Sequence, residues 1–238
     1  MGIDVDAHKV VTFSALHQHR VVTDPARPIP KVRYGRLEIV SVFRRQITSH
    51  DGDDGNPLIY ALKGKFGYTM PYRDFRHLYT AATQILPNAL AHVNFDMVVP
   101  LPSSSPVAAI IAERAARQRP GCGVVTCLDK ATIGQVLAIA PAADQIKKRH
   151  RGEYTSQLAK LQRLDPGLMI EMKALKGSVR PYFAPVIANG LAVQCADRHV
   201  LLVDDILSSG SSLAAAEAAL RAAGATSVSA LTLLSRLG

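Results

Sequence analysis

The chain is expected to fold as an α/β domain on a doubly wound parallel sheet. Three observations predict it. Short runs of Val, Leu and Ile recur without polar alternation, the pattern of strands buried on both faces. From residue 97 onward these runs alternate with Ala-rich helical stretches. Two of the runs are followed by small-residue turns, Pro102-Ser103-Ser104-Ser105-Pro106 and Ser208-Ser209-Gly210-Ser211-Ser212.

In chain order, residues 1–30 are polar and closed by Pro25, Pro28 and Pro30, which predicts an extended arm outside the core. Leu37 to Thr48 mixes β-branched, apolar and charged residues at two-residue spacing, predicting a half-exposed strand that ends in the turn cluster Ser49 to Pro57. Pro71 to Val93 has the spacing of an amphipathic helix, interrupted near Pro87. Core strands are expected at Asp96–Leu101, Gly123–Leu128, Val200–Val203 and Ser227–Leu234, with Tyr182–Ile187 the best candidate for one more. Helices are expected at Val107–Arg119 and at Leu213–Ala223, the latter stopped by Gly224. Between Leu128 and Arg180 lies a long insertion, with helices expected at Ala142–Gln162 and Gly167–Leu175.

With 238 residues, the chain has room for one large domain with an elaboration. The division expected is an arm and a further N-terminal region over 1–70 and a core over 71–238, the core carrying a basic insertion over 141–180. No apolar run reaches the length of a membrane span, and the start lacks the basic-then-apolar order of a signal peptide, so a cytoplasmic protein with no membrane partner is expected. Cys122, Cys127 and Cys195 make no disulfide framework and no zinc set, and read as buried thiols. The formal net charge of +9 suits anionic ligands, nucleic acid or an acidic protein. Residues 141–180 hold nine Lys or Arg against four acids. Lys147, Lys148, Arg149 and Arg151 are the nucleic-acid candidates. With few aromatics nearby, such contact would be mainly to phosphates.

The densest motif runs from Val200 to Ser212. An apolar strand leads into Asp204-Asp205 and then into a Ser/Gly turn at the start of a helix. In open sheets ligands bind beyond the carboxyl ends of the strands. Turn amides backed by a helix N-terminus favour a phosphate. The paired carboxylates accept hydrogen bonds from vicinal sugar hydroxyls, directly or through Mg²⁺. A ribose 5-phosphate fits this set better than a nucleoside triphosphate, and no G-x-x-x-x-G-K-[ST] sequence is present.

The stretch Val200–Ser212 resembles the phosphoribosyl-pyrophosphate (PRPP) motif of type I phosphoribosyltransferases. The resemblance implies that Asp204 and Asp205 hold the ribose and indirectly Mg²⁺, and that Ile206, Leu207, Ser208, Ser209, Gly210, Ser211 and Ser212 hold the 5′-phosphate. It also implies that Pro102, Ser103, Ser104 and Ser105 meet the pyrophosphate. Three further segments resemble the ComF-like, amidophosphoribosyltransferase-like branch: Leu58 to Lys65, Val98 to Pro102, and Lys130-Ala131-Thr132-Ile133-Gly134-Gln135. In that setting Lys130, with Thr132 and Gln135, sits on a closing loop that reaches the pyrophosphate. An N-terminal hood over residues 31–70 would bring Lys63, Lys65 and Phe66 to the acceptor. The family's N-terminal zinc-binding cysteines are absent, no Arg-Gly-Phe-Asn-Gln element follows the Ser loop, and the insertion is longer and more basic.

Three functions follow as expectations: a phosphoribosyltransferase of nucleotide metabolism, an effector or accessory subunit of a nucleoprotein assembly such as a retron-type bacterial defence complex, and a PRPP or nucleotide sensor. A homodimer or hetero-complex is compatible with each.

Overall fold

In this computed structural model, residues 1–27, 29, 31–46, 57–171, 174–207 and 210–236 are described. Most of the turn cluster Ser49 to Pro57, Ser208 and Ser209, and the insertion's Lys173 therefore lie outside the described residues. Five parallel strands form the main sheet in the order β5 (Leu37–Arg45), β11 (Ser227–Ser235), β10 (His199–Ile206), β6 (Met97–Pro100) and β7 (Gly123–Val124). On the outer edge of β5, β3 (Val21–Val22) and β4 (Lys31–Tyr34) pair antiparallel.

The strands alternate side chains between two cores, as a pleated sheet covered on both faces must. Val40, Val42, Val98, Leu201, Val203 and Leu231 face α2 (Tyr72–Leu90) and α3 (Val107–Ala116). Leu37, Ile39, Val99, Val200, Leu202 and Ala230 face α6 (Ser211–Ala222) through Leu213, Ala216 and Leu220. Val200 to Val203 are fully buried, as their unbroken apolar character predicts. The α/β class is thus observed, as a mixed sheet with helices on both faces.

Several elements differ from expectation. Residues 1–30 are not a free arm: β1 (Gly2–Val5) and β2 (Val11–Ser14) form a hairpin, β3 joins the sheet, and Ile3, Val11 and Val21 are fully buried. Within the expected hood region, residues 37–45 form β5 of the sheet, buried between β11 and the two antiparallel strands despite their charged neighbours. The division expected at residue 70 therefore does not separate the sheet from its N-terminal region. Pro87 lies inside a continuous α2, where burial of Leu86, Ala89 and Leu90 offsets the missing amide.

The Gly123–Leu128 strand is split. Only β7 joins the sheet, while β8 (Leu128–Lys130) pairs antiparallel with β9 (Val186–Ala188) in a separate ribbon. Of the expected strand Tyr182–Ile187, Tyr182 ends a short 3₁₀ turn, while Val186 and Ile187 fall in β9, outside the main sheet. The insertion contains α4 (Ile133–Ile139) and α5 (Arg151–Leu161), whereas the segment expected to begin helix at Ala142 makes two 3₁₀ turns, Ala143–Gln145 and Lys148–His150. Gly167 begins no α-helix, and Met169 bridges Thr132 instead. These pieces close on a third core of Ile133, Val136, Ile146, Tyr154, Leu161 and Phe183. Tyr154 is fully buried, stacks on Phe183 and donates its Oη hydrogen to Pro141 O at 2.5 Å.

Cys127 and Cys195 are buried with sulfurs 3.6 Å apart, and burial pushes the Cys127 thiol up to about 12; Cys122 is only partly buried. Among the described residues, no helix is long and apolar enough to cross a membrane. Because the insertion has its own core, Tyr154→Ala is expected to cost about 3–5 kcal/mol. Amide exchange by mass spectrometry should rise over 131–183 before it rises in the parallel sheet.

Candidate functional site

The sheet reverses its winding between β6 and β10. From β6 the chain passes through α3 to β7 on one side, and from β10 through α6 to β11 on the other. A crevice opens at such a reversal, beyond the carboxyl ends of the two strands. Leu101 N donates to Val203 O at 2.8 Å, which sets the loop of Pro102 to Ser105 beside Asp204 and Asp205. The two segments that the motif analysis singled out therefore meet at one sheet edge.

Both carboxylates still lie within β10. Asp205 is 2% exposed, and its Oδ2 forms an ion pair with Lys63 Nζ. Lys63 follows α1 (Pro57–Leu62), so that short helix delivers the cation to the strand end. Asp204 is partly buried and accepts a 2.8 Å hydrogen bond from the Asp205 backbone N–H. Burial and the neighbouring Asp205 push the Asp204 carboxyl up to about 7, against the smaller pull of that amide and of Lys63.

After Leu207, whose N–H donates to Leu234 O at 2.8 Å, the chain reaches Gly210 in the left-handed region at φ +72°. That conformation favours glycine. A Cβ on Gly210 would lie 3.6 Å from the Tyr34 ring, so β4 also borders this turn. Helix α6 starts at Ser211, and its first-turn amides have no acceptor within the helix. Asp204, Ile206, Leu207, Gly210, Ser211, Ser212 and Leu213 line a small recess of about 20 Å³. Pockets that enclose a whole small ligand run to roughly 300–1,000 Å³, so this recess can border one end of a ligand and not enclose it.

The other expected residues are placed unevenly. Ser103 Oγ accepts from Ser105 N–H at 3.2 Å and Ser105 Oγ from Val107 N–H at 3.4 Å, so both hydroxyls support the turn into α3; Ser103 and Ser104 are exposed. Lys130 is exposed on the β8–β9 ribbon, outside the parallel sheet. Thr132 and Gln135 form a reciprocal capping box at the start of α4, a local task that the Thr-x-x-Gln spacing itself signals. Lys63 meets Asp205 rather than standing apart with Lys65 and Phe66. Phe66 is 60% exposed, sits at φ +56° and packs edge-on against Tyr60. Lys147, Lys148, Arg149 and Arg151 are all exposed on the insertion, though the Arg151 guanidinium donates to Ile146 O and Asp144 O. Tyr34 was not anticipated, because no local pattern links β4 to residue 210.

A family model, the phosphoribosyl transferase domain, matches residues 169–238, less than a third of the chain but including both carboxylates and the turn into α6. No curated protein and no solved structure matches the chain.

Two outcomes follow from the carboxylate pair. Lys63→Ala leaves Asp205 as an unpaired buried charge and should cost about 3–5 kcal/mol in urea unfolding; adding Asp205→Asn should recover most of it. The folded Asp204 carboxyl holds its proton above the unfolded value of 3.8, so stability falls as pH rises from that value through about 7. Asp204→Asn should therefore raise Tm at pH 8, on the order of 5 °C, with the gain vanishing near pH 4.

Proposed function

We propose that the protein binds PRPP, or a nucleotide carrying the same ribose 5-phosphate, and transfers the phosphoribosyl group to a nitrogen acceptor with release of pyrophosphate. One observation carries this reading: a carboxylate pair at the end of β10, with Asp205 buried and Asp204 partly so, is followed five residues after Asp205 by a left-handed glycine and a helix start, at the point where the sheet reverses. The family-model match spans that same segment. Winding in opposite directions from β6 and β10 supports a doubly wound phosphoribosyltransferase architecture, and the Leu58–Lys65 and Val98–Pro102 segments, both near this edge, favour the ComF-like branch.

In this reading Asp204 and Asp205 accept hydrogen bonds from the ribose hydroxyls, and the turn from Ile206 to Ser212 cradles the 5′-phosphate. Lys63 pairs with Asp205 at the strand end. The loop of Pro102 to Ser105, backed by the positive end of α3, faces the pyrophosphate. Lys130 would act only if its ribbon approaches the strand ends. The bond from the anomeric carbon to pyrophosphate breaks, a bond to the acceptor nitrogen forms, and the nitrogen's proton leaves to solvent. Exposed Lys65 and Phe66, close in sequence to Lys63, offer the acceptor a cationic and aromatic approach.

The donor set fits Mg²⁺. Both groups are oxygen ligands, and Asp204 is a carboxylate whose charge is disfavoured by its surroundings. When bound, the ion supplies positive charge against the departing pyrophosphate.

A second reading rests on the insertion, which presents Lys147, Lys148 and Arg149 on a lobe with its own core. It makes the protein an effector or accessory subunit of a nucleoprotein complex, as in bacterial defence. In that case nucleic-acid affinity should fall steeply with salt, with a shallower slope once these residues and Arg151 are neutralised.

Calorimetric titration with PRPP and Mg²⁺, followed by a pyrophosphate-release assay over a panel of nitrogen bases, separates these readings. The transferase reading expects binding and release, with release lost by at least 100-fold in Asp204→Ala/Asp205→Ala. Binding without release leaves a sensor. Absence of PRPP binding at millimolar concentration overturns the transferase and sensor readings together.

A further inference from the structure

The N-terminal hairpin carries a second group of potential ligands, separate from the carboxylate pair. Asp4 lies on β1, and His17 and His19 lie on the loop between β2 and β3. His17 Nε2 stands 3.0 Å from Asp4 Oδ2. The two imidazoles stack with centroids 4.0 Å apart and planes 18° from parallel. One ligand atom from each of the three residues lies within 4.8 Å of the others. His17 is partly buried, and Asp4 and His19 are exposed.

The backbone holds this arrangement in place. Ile3 N and Val21 N both donate to His19 O, at 3.2 and 2.6 Å, and Thr23 N donates to Met1 O at 2.9 Å. The loop therefore crosses directly over the start of β1. Gly2 makes the crossing feasible, because a Cβ there would stand 2.8 Å from the His19 backbone N and O. Arg20, at φ +61°, then turns the chain into β3. Backbone strain of this kind is retained only where the surrounding structure over-determines it.

We propose that Asp4, His17 and His19 form a binding site for a zinc-class divalent ion. Two imidazole nitrogens and one carboxylate oxygen suit a borderline transition ion and not the hard Mg²⁺. Three protein ligands leave further positions for water or an incoming donor. Zinc bonds to nitrogen run about 2.0–2.1 Å, which puts tetrahedral ligand atoms about 3.4 Å apart. The Asp4–His17 pair is already close to that spacing, and side-chain rotation of His19 closes the remainder. At present His19 N–H lies 3.3 Å from His17 Nδ1, and Nε2 faces Asp4 Oδ2. Ligation through Nε2 puts the ring proton on Nδ1 and releases the long contact, while Nε2 turns its lone pair to the ion. The bound ion would clip the β2–β3 loop to β1 and so brace the hairpin.

The test is calorimetric titration of the full chain with Zn²⁺, alongside Co²⁺ absorption. The expected result is one ion per chain, weakened at least tenfold by Asp4→Asn, His17→Ala or His19→Ala and unchanged by Asp204→Asn. A second measurement uses the unmodified protein: substoichiometric Co²⁺ should broaden the ring resonances of His17 and His19 first. Equal Zn²⁺ affinity in a His17→Ala/His19→Ala variant, absence of binding, or broadening spread evenly over the other histidines overturns the proposal.

Discussion

Two adjacent carboxylates at the end of a strand that is dry on both faces create a demand for positive charge, and much of the N-terminal half is arranged around meeting it. Asp205 is too buried to be served by water, so a cation must come from elsewhere in the chain. Lys63 supplies it from the end of α1. The loop that follows is in turn held by the first hairpin: Val10 bridges Thr69, and Lys9 Nζ donates to Phe66 O at 3.0 Å. Phe13 N–H donates to the buried Asp74 of α2 at 2.9 Å, fastening the same hairpin to the helix behind it. A contact at one strand end thus reaches back to the first fifteen residues.

The insertion is organised on different terms. Its core is separate from the two that sandwich the sheet, and the β8–β9 ribbon beside it lies against α6 through β9. Much of its exposed basic surface surrounds a small apolar centre with Tyr154 in the middle. Arg151 and Lys176 are partly used in holding that lobe together, through Ile146 O and Asp144 O and through Glu153 respectively. Lys147 and Lys148 lie on its exposed side.

Where the sequence was legible, the reason is that the signal was local. Val200 to Val203, Gly210 and the Ala-rich α6 each declare themselves within a few residues, and the structure makes them a buried strand, a left-handed turn residue and a helix. Long-range pairing was the part that could not be read. Glu38, Arg44 and Arg45 made β5 look half exposed, yet pairing with β11 on one edge and with β3 and β4 on the other buries most of it. The polar first thirty residues hid Ile3, Val11 and Val21, each buried only by partners distant in sequence. Pro87 reads as a break in isolation, but the apolar face of α2 outweighs it. At the site, the carboxylates and both small-residue turns were visible. The cation on Asp205 and the ring beside Gly210 were not, because their partners lie far away along the chain.

The Asp204 proton has one further consequence. A carboxyl held near half-protonation at neutral pH makes the strand end a site where a proton and any ligand that needs the carboxylate anion compete for the same oxygens. Uptake of such a ligand is then an exchange reaction, releasing acid into the medium, and its measured heat includes the ionisation enthalpy of whichever buffer takes up that proton. The stoichiometry of this release, read as heat against buffer identity, would report how fully the ligand engages Asp204 without any label on the protein.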